Sequence, residues 1–482
     1  MSDSATIRRE STGDAALDEI LGGGIPTGSM TVVAGTPGSG KTIFALQILF
    51  LAARAGKKSI YFTTLSEPAI RVLRYMQQFP FFDLEQIDKN VFFVDLGAAM
   101  REGVDATMAQ ITEYIDRHEP CFVAIDSYRA IGDLLRSPET SRSFTYDLSV
   151  QLIASSATTL LVGEYAHAEI GTATELAIAD GIIELTTSRD ELASIRAVEV
   201  VKMRGTGYAS GQHFYDITTA GLVFYPRVRA SSGDGRARTE ADERVSTGIE
   251  GLDAKFGGGL PRGSTTVVQG ATGAGKTLMA MQFVVDGARR GEPGVFFTLE
   301  ENVEQLRGHA RAVGWDLTEL QRAGLLTIAY TSPVELSTDR YLANARALLR
   351  STNARRAVID SLSTLALGVP SSRRFKELAY ALAMHTRDEG ITAIMTIESE
   401  QLLGSASLWA HGVSFIADNL VQLRYVEVGS CLARAVSILK ARGLHHDTGA
   451  AALEISSQGL RLAADGFRDF RGVITGLPLQ DR

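Results

Sequence analysis

The feature that most constrains this chain is that it occurs twice. TGDAALDEILGGGIPTGSMTVVAGTPGSGKT (12–42) returns as TGIEGLDAKFGGGLPRGSTTVVQGATGAGKT (247–277). Asp18 and Gly35 map to Asp253 and Gly270 at one offset of 235 residues. FVAIDSYRAI (122–131) returns as AVIDSLSTLA (357–366), and VVKMRGTG (200–207) as ILKARGLH (438–445). Landmarks in the same order at near-constant offset imply tandem duplication of a unit the size of an ordinary domain. The stretch between the copies, PRVRASSGDGRARTEADERVS (226–246), is polar and almost free of large apolar residues, and reads as a linker. The expected organisation is a first domain over 1–225, a linker over 226–246 and a second domain over 247–482.

Within each unit, apolar β-branched runs alternate with helical patterns. In the first copy TVVAG (31–35), SIYFTT (59–64), VFFV (91–94), CFVAI (121–125) and TLLVG (159–163) read as buried parallel strands. TIFALQILFLAARAG (42–56) has helical spacing and ends at a glycine. This alternation predicts an α/β unit with a mainly parallel sheet. SIRAVEVVKMRG (194–205) and CLARAVSILKARG (431–443) read as added strands at a sheet edge. The longest apolar run, 43–53, is too short to span a bilayer and reads as a buried helix. Two cysteines in 482 residues argue against a disulfide framework, and no apolar leader opens the chain, so a cytoplasmic location is expected. A net charge of −8 argues against broad nucleic-acid binding, which needs a basic face.

GTPGSGKT (35–42) and GATGAGKT (270–277) both satisfy GxxxxGK[ST]. Glycines in such a loop let successive backbone N–H groups turn inward around phosphate oxygens, and the helix that follows points its positive end at the anion. The candidate nucleotide ligands are Thr36, Gly38, Ser39, Gly40, Lys41 and Thr42, and Thr272, Gly273, Ala274, Gly275, Lys276 and Thr277. Lys41 and Lys276 reach the β/γ-phosphates; the hydroxyls of Thr42 and Thr277 serve Mg²⁺. Asp126 and Asp360 end apolar strands, where a second carboxylate supporting Mg²⁺ belongs; the plainer reading is a strand-ending cap on the next helix. ATP and Mg²⁺ are the expected cofactors. Glu67, Glu300 and Glu301 follow the second strand of their units. Each can orient or deprotonate an attacking nucleophile, or be a helix N-terminal acid favoured by the dipole. Lys202, Arg204, Lys440 and Arg442 lie far along the chain from the loops. They neutralise transition-state charge from a neighbouring subunit, or simply end a strand in solvent.

This arrangement resembles the KaiC family, the duplicated RecA-like ATPases and autokinases of bacterial clock systems. The residues that carry the resemblance are the GGGxPxGS lead-ins (22–29 and 257–264), both loops and both IDS strands. More specific are TLEEN (298–302), IDSLSTLALGV (359–369), DNLVQLRYVEV (418–428), LKARGLHHD (439–447) and GFRDFRGVITG (466–476). The resemblance implies tandem RecA-like domains in a hexameric double ring, with ATP at subunit interfaces. It implies slow hydrolysis in the first ring. In the second it implies reversible γ-phosphate transfer to a neighbour's hydroxyls, with Glu300 as general base and the four cations acting in trans. In the family the acceptor is an adjacent Ser–Thr pair; here it reads Ser414–Phe415, so a single-site switch at Ser414 replaces an ordered two-site cycle, unless Ser414 only fills space. Little sequence follows GFRDFRGVITG, so KaiA-type regulation is not expected, while a KaiB-like partner on the first ring stays open. Where the family has paired acids in the first unit, this chain has Ser66 and Glu67. Two competing readings are a RecA/RadA-like DNA-dependent ATPase, using 136–147 and 369–380 as DNA loops, and a hexameric scaffold in which nucleotide only gates assembly.

Overall fold

The computed structural model describes residues 7–65, 68–135, 138–170, 173–190, 193–227, 243–333, 338–369, 371–399, 414–428 and 431–463. The chain forms two compact units, Met1–Arg227 and Val228–Arg482. No helix among the described residues is long and apolar enough to cross a membrane.

The first unit is built on a nine-stranded sheet. Its strands are β1 (Met30–Gly35), β2 (Ser59–Thr63), β3 (Val91–Asp95), β4 (Phe122–Asp126), β5 (Thr158–Glu164), β6 (Gly181–Asp190), β7 (Ala193–Met203), β8 (Gln212–Thr218) and β9 (Gly221–Tyr225). Their order is β9-β8-β7-β6-β1-β5-β4-β2-β3. From β3 to β6 neighbours run parallel; β7, β8 and β9 close the sheet antiparallel. The central strands are near-continuous apolar runs because both faces are covered. Val33, Tyr61 and Ala124 pack with Phe44 and Ile48 of helix α1 (Lys41–Arg54). The alternate residues Val32, Phe62 and Ile125 pack on the other face with Leu148 and Leu152 of α2 (Pro138–Ala154).

The second unit repeats this plan. Its strands are β10 (Thr265–Gly270), β11 (Gly294–Thr298), β12 (Leu326–Tyr330), β13 (Arg356–Asp360), β14 (Thr392–Glu398), β15 (Asn419–Val428), β16 (Cys431–Ala441), β17 (Ala451–Ser456) and β18 (Gly459–Leu462). They lie in the order β12-β11-β13-β14-β10-β15-β16-β17-β18. Helices α3 (Lys276–Arg289), α4 (Val303–Ala312), α5 (Leu362–Leu367) and α6 (Ser372–Asp388) follow in chain order. The tandem parallel α/β architecture read from the sequence is therefore present in both units.

Two local expectations need correction. β7 and β16 are not edge strands, because the hairpins β8–β9 and β17–β18 extend the sheet beyond them. Gln47 and Gln282 explain how those hairpins are fastened. Each side-chain amide exchanges two hydrogen bonds with the backbone of Leu222 or Leu460, tying α1 or α3 to the last strand. The segments 136–147 and 369–380, expected as loops, lie mostly in α2 and α6.

The repeated lead-in also has a structural reason. Asp18 takes hydrogen bonds from the Ser11 and Thr12 hydroxyls and from Thr12 N. Asp253 takes the same three from Ser246 and Thr247. The second unit then adds Arg356, 1 % exposed, which has Phe122 at its counterpart in the first. Its guanidinium bonds Glu292 (2.7 Å), Phe283 O (2.7 Å) and Ser246 O (3.0 Å), and lies over the Phe283 ring. Gly287 makes room for it, since a Cβ there would sit 2.4 Å from Arg356 Cδ. Truncating Arg356 removes the donor to Ser246 O and Phe283 O and opens a cavity, while Glu292 keeps Arg262 at 2.9 Å. Arg356→Ala is therefore expected to destabilise the second unit by on the order of 3 kcal/mol. Calorimetry should show its transition falling while that of the first unit stays in place.

Candidate functional sites

Each unit carries one phosphate loop between a central strand and a long helix. In the first, Gly38 and Gly40 hold φ of +77° and +90°, values that side-chain-bearing residues rarely adopt. Gly273 and Gly275 repeat this at +74° and +105°. Gly40 and Gly275 are also the N-caps of α1 and α3. Neither offers a side-chain cap, so the first amides of each helix stay open to an anion. Lys41 Nζ donates to Thr36 O at 2.9 Å, and Lys276 Nζ to Ala271 O at 3.0 Å. Burial pulls both ammonium groups below the usual lysine range. Glu164 and Asp126 oppose this at Lys41; Glu398, Glu300 and Asp360 oppose it at Lys276.

The strand-ending aspartates lie beside the loops. Thr42 Oγ1 donates to Asp126 Oδ2 at 2.7 Å, and the Tyr61 hydroxyl donates to the same oxygen at 2.7 Å. Asp360 takes hydrogen bonds from Thr277 and Thr396. Burial pushes both carboxyls above the ordinary range, while these hydroxyls pull them down. Asp126–Ser127 and Asp360–Ser361 are both cis peptides.

The two acids of the second unit point to different partners. Glu300 Oε1 accepts from Ser361 Oγ and, at 2.7 Å, from Thr364 Oγ1. Glu301 Oε2 lies 3.0 Å from His309 Nδ1 on α4. Ser66 and Glu67 lie outside the described residues. Their connection is one residue longer than its counterpart. Thr63 faces Asp126 as Thr298 faces Asp360, and the following helices begin at Ala69 and Val303. Counting from the strand puts Leu65 opposite Glu300; counting from the helix puts Ser66 and Glu67 opposite the acid pair.

The four cations are far from their own loops. Lys202 Nζ donates to Leu176 O (3.3 Å) and Ala177 O (3.1 Å), and Arg204 lies 3.5 Å from Asp180. Lys440 Nζ donates to Ala417 O (2.6 Å) and Ser414 O (3.3 Å), and Arg442 lies 3.7 Å from Asp418. A β-bulge precedes each lysine: Val201 and Leu439 are extra residues in β7 and β16. A bulge re-aims the side chains beyond it. Ser414 is half-buried in the turn before β15, and the exposed Phe415 ring stacks with Tyr380.

Comparison with known proteins supplies the family. The model of the KaiC ATPase family matches residues 11–229 and again 245–466. The chain belongs to the KaiC family. It is 30% identical over 478 residues to the circadian clock oscillator protein KaiC of Picosynechococcus sp., covering 96% of this chain and 90% of that one. It is 31% identical over 479 residues to the KaiC of Acaryochloris marina, with the same coverage. It is 29% identical over 487 residues to the circadian clock protein KaiC3 of Synechocystis sp., covering 98% and 95%.

Within this KaiC-family chain, several site residues carry no local sequence signal. Tyr61 and Thr396 are ordinary strand residues until the strand order sets them beside the aspartates. Glu164 and Glu398 end β5 and β14 next to the loops, and Thr272 Oγ1 donates to Glu398. Tyr215, on β8, donates to Ser39 O at 2.5 Å and props the first loop from behind.

The buried Asp126 gives a test with a definite sign. A carboxyl whose folded pKa is raised costs stability once ionised, and the cost vanishes below the unfolded value, about 3.9. In nucleotide-free protein, Asp126→Asn is expected to raise the melting temperature of the first unit at pH 7 by about 2–4 °C. The gain should shrink as the pH is lowered. Calorimetry of both proteins between pH 7 and pH 4 checks this.

Proposed function

We propose that this chain is a magnesium-dependent ATPase that assembles as a ring of copies, and that its second unit transfers the γ-phosphate to Ser414 of a neighbouring copy. The observation that carries the reading is the placement of Ser414 with Lys440. Asn419 at the start of β15 pairs with Thr266, whereas the loop begins at Gly270, whose partner is Leu423. Four residues of strand separate the two ends, about 13 Å. The acceptor and its cation therefore sit at the opposite end of the sheet from their own loop. That position suits delivery to a neighbour's nucleotide. Lys202 and Arg204 are placed in the same way in the first unit.

The residues present fit a magnesium–nucleotide. A hydroxyl and a buried carboxylate meet at each loop, Thr42 with Asp126 and Thr277 with Asp360. Ser39 Oγ, buried in the first loop, has no hydrogen-bond partner among the described residues. When bound, Mg²⁺ neutralises charge on the β- and γ-phosphates. Lys41 and Lys276, made less basic by burial and flanked by carboxylates, regain a full counter-charge when phosphate arrives. Glu300 is the base that takes the acceptor proton. Both acids act on Asp360, but of the two it is Glu300 whose charge acts on Lys276, whereas Glu301 turns toward His309. The first unit has Leu65, Ser66 and Glu67 in this region and is the weaker hydrolase.

ATP labelled on the γ-phosphate tests this in one Mg²⁺-containing time course that counts free and protein-bound phosphate. Label is expected on the wild type and absent from Ser414→Ala. Glu300→Gln is expected to lower transfer by roughly 10²-fold or more. Free phosphate without bound label in the wild type would overturn the transfer reading and leave an ATPase. A ring that assembles on ATP without turnover would make it a nucleotide-gated scaffold.

A further inference from the structure

Thr364 and Ser361 hold Glu300 in a way that the reading above does not require. Both hydroxyls donate to one carboxylate oxygen, Oε1. Both come from the start of α5. Ser361 caps that helix by accepting from Thr364 N at 3.2 Å, and the two hydroxyl oxygens lie 3.1 Å apart. Between them, Ser363 accepts from Glu398 N at 2.8 Å, fixing the same turn to the end of β14. Glu398 in turn accepts from Thr272 at the lip of the loop. The hydrogen bonds thus run from the loop, through a strand end and a helix start, to the acid.

We infer that Thr364, supported by Ser361, is a positioning residue for Glu300. A glutamate on a turn has several freely rotating side-chain bonds, and fixing them costs up to about 2 kcal/mol of entropy. Two donors on Oε1 fix the carboxylate before nucleotide arrives. They leave Oε2 to take the proton of the attacking hydroxyl. The support is rigid because it comes from a helix start and not from a free loop.

The first unit lacks this clamp. The counterparts of Thr364, Ser363 and Thr272 are Ala130, Arg129 and Pro37. Arg129 instead binds Glu164 O (2.6 Å) and the Glu169 carboxylate. Only Ser127 is retained from the hydroxyl set, and it faces Thr64, with Ser127 N donating to Thr64 Oγ1 at 3.0 Å. The clamp therefore accompanies the acid that it holds.

The assignment rests on Glu300 acting as the base, so its test separates the two. In the full chain with Mg²⁺ and ATP, Thr364→Val is expected to lower the maximal rate of protein-bound label by on the order of 10–100-fold, with KM for ATP within about twofold. Thr364→Ser restores the hydroxyl and should recover most of the rate. An unchanged rate in Thr364→Val, a loss carried by KM, or no rescue by serine overturns the inference. A second measurement needs no turnover: the melting shift of the second unit in Thr364→Val, Glu300→Ala and the double variant. Coupled residues give a double shift smaller than the sum. Additive shifts overturn the clamp, whereas a wild type without turnover but with coupled shifts overturns only the role of Glu300 as base.

Discussion

A carboxylate buried at the end of a central strand is the interaction around which each unit is arranged. An isolated buried charge is costly, and proteins keep one only where partners surround it. Asp126 and Asp360 are surrounded, but by hydroxyls, which compensate only in part; burial still dominates their titration. The same holds in mirror image for Lys41 and Lys276, which are less basic than a free lysine. Each unit therefore carries opposed groups that a divalent cation and a polyphosphate would satisfy together. The parallel strand order brings both groups to one end of the sheet, and the glycine-capped helix adds unpaired amides at the same place.

The two units meet this constraint with different residues. The second donor to the aspartate is a phenol from β2 in the first unit and a threonine hydroxyl from β14 in the second. At the counterpart of Tyr61 the second unit has Phe296, and at the counterpart of Thr396 the first has Val162. The acid pair, the hydroxyls of Ser363 and Thr364 and the lip threonine all belong to the second unit. The first keeps its loop, Thr42 and its cations. This pattern is two different residue sets built on a common frame, and the proposed difference in activity rests on it.

The parts of the site that were legible in the sequence are those read along the chain. The loops, the strand-ending aspartates and the paired acids have fixed local spacing, so Gly40, Asp126 and Glu300 could be named without knowing the fold. Tyr61, Thr396, Glu164 and Glu398 could not, because each enters the site across strands that are distant in sequence. Strand order also explains the misplaced edge: β7 reads as a terminal strand until the hairpin after it is seen to continue the sheet. The connection after β2 stays ambiguous for a physical reason. It is one residue longer than its counterpart, and counts from its two ends disagree by that residue.

The bulges before Lys202 and Lys440 carry a consequence for how this chain can change. Side chains of a strand alternate between faces, so the direction of each lysine depends on the parity of the residues before it. The two copies have diverged around this point, as KMRGTG against KARGLH, yet each retains the extra residue. Substitutions there alter packing by degrees, whereas loss of a single residue would turn the cation to the opposite face of the sheet. At this strand length sets direction, so an insertion or deletion is expected to disturb the lysine more than a change of residue type.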